Sequence, residues 1–213
     1  MNHRCEVRHA RLLRSRSGSF LLVAVWILAV GAGLHALLVH SATPGRNGEV
    51  PARWPEGVPR QSGLPTLVMV VHPHCPCSRA SDGELSRIIT ICRSRKVARV
   101  LFVKPTGFDR GWVRTDLWES AASIPGVEVF CDDEGAMARR FGARTSGDTL
   151  LFDAGGELLF HGGITEARGH WGDNAGRSSV VSLLAVEKRP AAGRAACVDS
   201  LVFGCPLFDT DAN

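Results

Sequence analysis

The chain has 213 residues, of which 45% are hydrophobic and 22% charged, ordinary values for one globular domain with appendages or for two small domains. Its net charge of +4 sits at the amino end, where Arg4, Arg8, Arg11, Arg14 and Arg16 face a single acid, Glu6. The body that follows is neutral and has no basic stripe, which argues against a nucleic-acid partner.

Residues 1–18 read as a basic cytoplasmic tail. Residues 19–40 follow as a transmembrane helix: Phe20 to Val39 is almost wholly apolar, and no charge occurs from Ser17 to Gly45. Twenty helical residues cover about 30 Å, the thickness of the hydrocarbon core. The arginines before the span predict a single pass through the cytoplasmic (inner) membrane, amino terminus inside, with the rest of the chain in the periplasm. A cleaved signal peptide is the rival, since Val39-His40-Ser41 offers a cleavage-like site, but the apolar run is longer than a signal's apolar region. His35 within the span reads as a neutral imidazole near the outer interface, and Cys5 has no assigned role. Residues 41–62 hold four prolines and three glycines without an apolar period and read as a linker that spaces the domain from the bilayer.

The folded domain is expected over 63–188. The continuous apolar run from Leu64 to Val71 suits a strand buried on both faces. A helix over about 76–95 carries the stripe Leu85, Ile88, Ile89 and Cys92, and Val97 to Val103 is a second buried strand. The pattern continues with a helix over 112–124 and a strand over 127–131. Asp132-Asp133 then cap a helix that runs to Phe141 and ends at Gly142. Strands at 149–152 and 158–160 flank the turn Asp153-Ala154-Gly155-Gly156, and a last helix runs from Asp173 or Asn174 to about Lys188. Strands alternating with helices predict an α/β fold of three layers: a central mixed sheet with helices on both faces and the hairpin adding antiparallel strands. Residues 189–213 read as a tail.

The stretch HPHCPCSRA, from His72 to Ala80, carries the chemistry. It follows the first strand and opens the first helix. A cysteine there meets unpaired N–H groups and the positive helix end, both of which favour thiolate. Thiolate attacks disulfides and also binds soft metals. The redox reading takes Cys75 and Cys77 as catalytic, Cys75 attacking and Cys77 resolving or else a distant cysteine resolving, with no cofactor required and another thiol or disulfide protein as partner. A disulfide between residues i and i+2 closes a tight, strained ring, and strained disulfides are the labile ones. The metal reading joins Cys75 and Cys77 to His72 or His74, a set suited to Cu(I) or Zn(II). In the inert reading the pair is a static disulfide or mere packing. Both active readings need the Cys75 sulfur ionised and open to solvent.

The element order and the cysteine pair at a strand-to-helix turn resemble the thioredoxin superfamily, most closely its membrane-anchored TlpA-like group. Phe130 to Gly163 carries the resemblance: strand, acidic turn, helix ending in an aromatic-glycine pair, then strand-turn-strand. The pieces CPCS, RTSG, GDNAG and FGCPL are similar to a bacterial group known as RedB proteins. The resemblance implies a thioredoxin-like fold, a thiol–disulfide oxidoreductase activity and Cys75 as the attacking thiol. The family's pair is Cys-x-x-Cys where this chain has Cys-Pro-Cys. Gly147 stands where the family has a proline that helps present substrate backbone. That departure leaves room for a third reading, a non-catalytic scaffold. The Sco-type copper chaperones share the anchor and a cysteine pair; their distant histidine has no match at Gly147 or Asp148, so His161 or His170 would substitute.

Cys92 reads as core, and Cys131 as a buried strand cysteine or, less simply, a resolving partner. Cys197 and Cys205 could form a structural disulfide in the tail. The glycine-rich loop 162–176 follows the last strand of the hairpin. Gly147, Asp148, Arg168 and His170 are substrate-loop candidates, with Asp173 alongside them or serving as a helix cap.

Overall fold

A computed structural model describes residues 3–92, 96–185 and 197–208. The expected ends of the first and last domain helices, at 93–95 and 186–188, lie outside the described residues, as does much of the tail. The chain divides into two compact units, 1–41 and 42–213.

The first unit is a helix, α1 (His3–Ala42). Its stretch Gly18–Ala42 has 25 residues and a mean hydropathy of 2.4. By length and composition this is enough to cross a membrane.

The second unit is a six-stranded mixed sheet in the order β3-β2-β1-β4-β5-β6. β1 (Thr66–Val71), β2 (Val97–Lys104) and β3 (Val127–Asp133) are parallel. β4 (Asp148–Phe152) pairs antiparallel with β1 and with β5 (Leu158–Gly162), and the short β6 (Val198–Asp199) runs parallel to β5. β1 lies inside the sheet, so both faces of its valine-rich run are buried. One face carries Leu67, Met69 and Val71 against α2 (Ser78–Ile91), α3 (Asp116–Ser123) and α5 (Ala175–Ala185). The other carries Val68 and Val70 toward Phe141, Phe152 and Leu207, beside α4 (Ala136–Arg140). Cys92 packs in the first of these cores, as its place on the helical stripe predicts.

Local chemistry sets the ends of these elements. Both Asp132 carboxylate oxygens accept first-turn N–H groups of α4, from Met137 at 2.8 Å and Ala138 at 2.7 Å. The Asn174 side chain accepts the Arg177 N–H at 2.7 Å and caps α5. The expected helix over 112–124 begins later, at Asp116, because Asp109 first caps a 3-10 turn at Arg110–Val113 and Thr115 then caps the α-helix.

Two expectations need correction. Residues 42–62 do not form a free spacer. Trp54 donates its backbone N–H to Gly156 O at 2.8 Å, and its indole packs edge-on against Phe141 and Phe152 at 5.1 Å each. The segment covers an apolar sheet face that α4 is too short to cover, and Leu158 N–H donates to Ala52 O at 2.9 Å. Nor is the end of the chain an appended tail. Val202, Phe203 and Leu207 are buried, and Thr145 pairs antiparallel with Pro206.

Because Trp54 fills that face, Trp54→Ala is expected to lower the unfolding free energy by about 2–4 kcal/mol. Urea denaturation checks this; a change below about 0.5 kcal/mol, typical of an exposed linker residue, would restore the spacer.

Candidate functional site: three thiols at the carboxyl edge of the sheet

β1 ends at Val71 and α2 begins at Ser78. The six residues between them turn tightly, with Cys75 N–H bonded to His72 O at 3.0 Å and Ser78 N–H to Cys75 O at 3.2 Å. Cys75 therefore lies at the strand-to-helix junction, as the sequence predicts. It is only 3% exposed, contrary to the expectation of a solvent-open sulfur. The covering group is Cys205, whose Sγ lies 3.0 Å from Cys75 Sγ and whose backbone N–H points to the same sulfur at 3.4 Å.

The sulfurs of Cys75, Cys77 and Cys205 all lie within 4.8 Å of one another. The three differ in electrostatics. Burial pushes the Cys75 thiol up, but hydrogen bonds from Cys205 and Ser78, side chains and backbone alike, favour its anion more, and its pKa ends below the ordinary value. Cys77 is raised by burial and by the neighbouring Cys75 charge, with Arg168 opposing. Cys205 is pushed up to about 12 by burial and by its contact with Cys75. Of the three sulfurs, Cys75 is the one whose surroundings favour the anion.

The segment carrying Cys205 is tied down along its length. Ser146 N–H donates to Cys205 O at 2.8 Å, Leu207 N–H to Arg144 O at 3.0 Å, and Gly45 N–H to Val202 O at 2.7 Å. The Arg168 guanidinium donates to Gly204 O and to Thr43 O. Gly204 passes so close to Ser146 O that a Cβ would collide with it. Beside this segment opens a groove of about 640 Å³, lined by His72, Val103, Phe108, Arg139, Pro206 and Phe208 among others.

Gly147 has φ +91° and its N–H donates to Val70 O at 2.8 Å. Proline could adopt neither feature, which accounts physically for the departure from the family pattern. A Cβ there would also meet Ser81 Oγ at 2.7 Å. The preceding Ser146 hydroxyl accepts the His72 N–H at 2.7 Å and bonds Ser78 Oγ at 2.7 Å, locking the turn to the start of α2.

The other candidates separate. His72 and His74 do not join the thiols. Their rings stack around Trp112, and His74 Nε2 lies 3.1 Å from Trp112 O. The donor atoms that lie together are thus the sulfurs of Cys75, Cys77 and Cys205, with neither expected histidine among them. Asp148 is no substrate-loop residue: it is fully buried and its Oδ1 lies 3.0 Å from His161 Nε2. His170 is exposed and only its backbone is engaged, to Ala167 O. Asp173 pairs with Arg177 at 2.8 Å. Arg177 also reaches the buried Glu84, which accepts the Gly172 N–H and so holds the glycine-rich loop against α2. Only Arg168 of the four lies at the thiols. Cys131 turns to Asp133 and Cys197 to Asp199, so the thiol beside Cys205 is Cys75 and not the expected Cys197, and all of these cysteines are free.

This topology, with the reactive turn at the carboxyl edge of a mixed sheet and helices on both faces, is a thioredoxin-like fold. An uncharacterized conserved protein from Geobacillus kaustophilus superposes with a TM-score of 0.54 at 16% identity, covering 81% of this chain and 95% of that one. A hypothetical protein from Sinorhizobium meliloti gives 0.52 at 16%, covering 81% and 97%. A secreted disulfide oxidoreductase of Mycobacterium tuberculosis gives 0.41 at 13%, covering 58% and 82%; that superposition is too loose to bear on chemistry. No family model and no curated protein matches the sequence.

The Asp148–His161 pair gives a pH prediction. Burial lowers the His161 pKa, but its hydrogen bond and charge interaction with Asp148 raise it more; burial also raises Asp148. As a unit the pair keeps its proton, because losing it would strand a buried carboxylate. The folded state thus binds more protons than the unfolded chain above the ordinary histidine value of 6.5. Stability is fully present below that pH and falls as pH rises through the folded value. Thermal melts between pH 6 and 9 should show this decline, and His161→Gln should flatten it.

Proposed function

We propose that this chain is a membrane-anchored, extracytoplasmic thiol–disulfide oxidoreductase, with Cys75 attacking and Cys77 as its neighbour in the motif. The observation that carries it is the Cys75 sulfur at the head of α2, favoured as thiolate beside two thiols. A thiolate is the nucleophile of disulfide exchange, and a thiol within reach resolves the mixed disulfide. Gly18–Ala42 supports the anchor, and the arginines before it support an inside amino terminus. The site would then face the periplasm, where disulfides persist. The TlpA-like and RedB resemblances agree with this reading, whose partner is another thiol or disulfide protein and which needs no cofactor. Buried under Cys205, Cys75 meets a large substrate only after that segment gives way, while Cys77 is the more accessible of the pair.

One observation favours a second reading. Three sulfurs within 4.8 Å form a soft donor set, which suits three-coordinate Cu(I); Zn(II) prefers a fourth ligand, and neither His72 nor His74 supplies one. Cys75, Cys77 and Cys205 would hold the ion.

Two measurements test these readings on the full chain in detergent. With a small alkylating probe, Cys75 should react with a midpoint below the 9.0 of an ordinary thiol, and Cys75→Ser should slow disulfide exchange by about 100-fold or more. A midpoint at or above 9.0 overturns nucleophilic activation. For the second reading, the reduced protein should retain one Cu(I) against a competing chelator and lose it in Cys77→Ser; no copper above background in the wild type rules it out.

A further inference from the structure

Cys77 lies two residues from Cys75, with Pro76 between them. A Cys75–Cys77 disulfide would close a small ring around a residue whose φ is fixed near −65°. Cys205 approaches from the other side without that restraint. It comes from 130 residues further along the chain, and its sulfur is already 3.0 Å from that of Cys75. Its backbone N–H is directed at the same atom. This placement is built in. Residues 202–207 are fixed by hydrogen bonds to Gly45, Arg144 and Ser146, by the guanidinium of Arg168 and by the burial of Val202 and Leu207. Gly204 passes so close over Ser146 that a side chain there would lift the segment off it.

Resting on the thiol-exchange reading above, we infer that Cys205 is a third catalytic thiol, the one that resolves the mixed disulfide on Cys75, so that the oxidised protein carries a Cys75–Cys205 bond.

The steps balance as follows. Once residues 202–207 give way, the Cys75 thiolate attacks one sulfur of a partner protein's disulfide; that S–S bond breaks, a mixed disulfide forms and the partner's other sulfur leaves as thiolate. Cys205 then gives up its proton, its sulfur attacks Cys75 Sγ, and the second partner sulfur departs. Cys75 and Cys205 together lose two electrons, and the partner disulfide gains them. The partner's two sulfurs take one proton from Cys205 and one from solvent. The reverse sequence donates a disulfide to a dithiol partner. Either way the bond fastens the end of the chain over the site, and reduction releases it.

The experiment oxidises the full chain in detergent with a small disulfide, quenches with acid, alkylates free thiols and maps linked peptides by mass spectrometry. The expected product is a Cys75–Cys205 crosslink with Cys77 alkylated. In Cys205→Ser the small disulfide should persist as a mixed disulfide on Cys75 at least ten times longer than in the wild type. Circular dichroism confirms that the variant is folded. A Cys75–Cys77 crosslink with Cys205 alkylated, or equal persistence in Cys205→Ser and wild type, overturns this inference and leaves the exchange reading standing. Absence of any adduct or crosslink at Cys75 overturns both.

Discussion

The contact between the sulfurs of Cys75 and Cys205 joins the turn after the first strand to residues 202–207, and the rest of the site is arranged around it. Residues 202–207 must lie flat on the strip formed by Arg144, Thr145 and Ser146 for that contact to exist. The strip ends at Gly147, which takes a left-handed backbone and gives its N–H to Val70. Ser146 in turn holds both sides of the reactive turn through His72 and Ser78. Each of these residues acts on the sulfur through another, and replacing any one would move Cys205 relative to Cys75.

Electrostatics follow from the same packing. A buried sulfur ought to be a neutral thiol. Cys75 departs from that because four donor interactions converge on it from Ser78 and Cys205. Much of what the helix amino terminus alone would provide is here supplemented by a side chain from the far end of the sequence. The anion is favoured by groups that also shut out water, so activation and shielding come from one arrangement. Arg168 opposes the rise that burial and the Cys75 charge impose on Cys77 and Cys205.

The sheet was legible because period and composition report it directly. The valine runs of β1 and β2 could only be buried strands, and Asp132, Asn174 and Gly142 punctuate helices through local hydrogen bonds and φ values. The junction that places Cys75 was legible for the same reason. Cys205 was not, since no periodicity links residues 130 apart, and the segment FGCPL offers no strand or helix pattern of its own. Nearness in sequence instead suggested Cys197 as its partner. The proline-rich stretch from Ser41 to Ser62 misled in a related way: prolines and glycines mark irregular backbone, but Trp54 shows that irregular backbone can still be packed. Asp148 looked like a loop residue beside Gly147, and only its side-chain pairing with His161, diagonal across the two strands, reveals it as interior. The histidines of the motif were drawn instead to Trp112, an aromatic contact that sequence spacing does not encode.

Chain connectivity gives the thiol pair a temporal order. A ribosome adds about 5–20 residues per second, so roughly 7 s or more separates synthesis of Cys75 from that of Cys205. Throughout that interval the first sulfur has no lid, and its strand lacks its antiparallel neighbour until β4 is made. A nascent chain would therefore present an uncapped cysteine before the capping one arrives, and the reactive centre forms only after residue 205 has been made, well after Cys75 and the parallel strands around it.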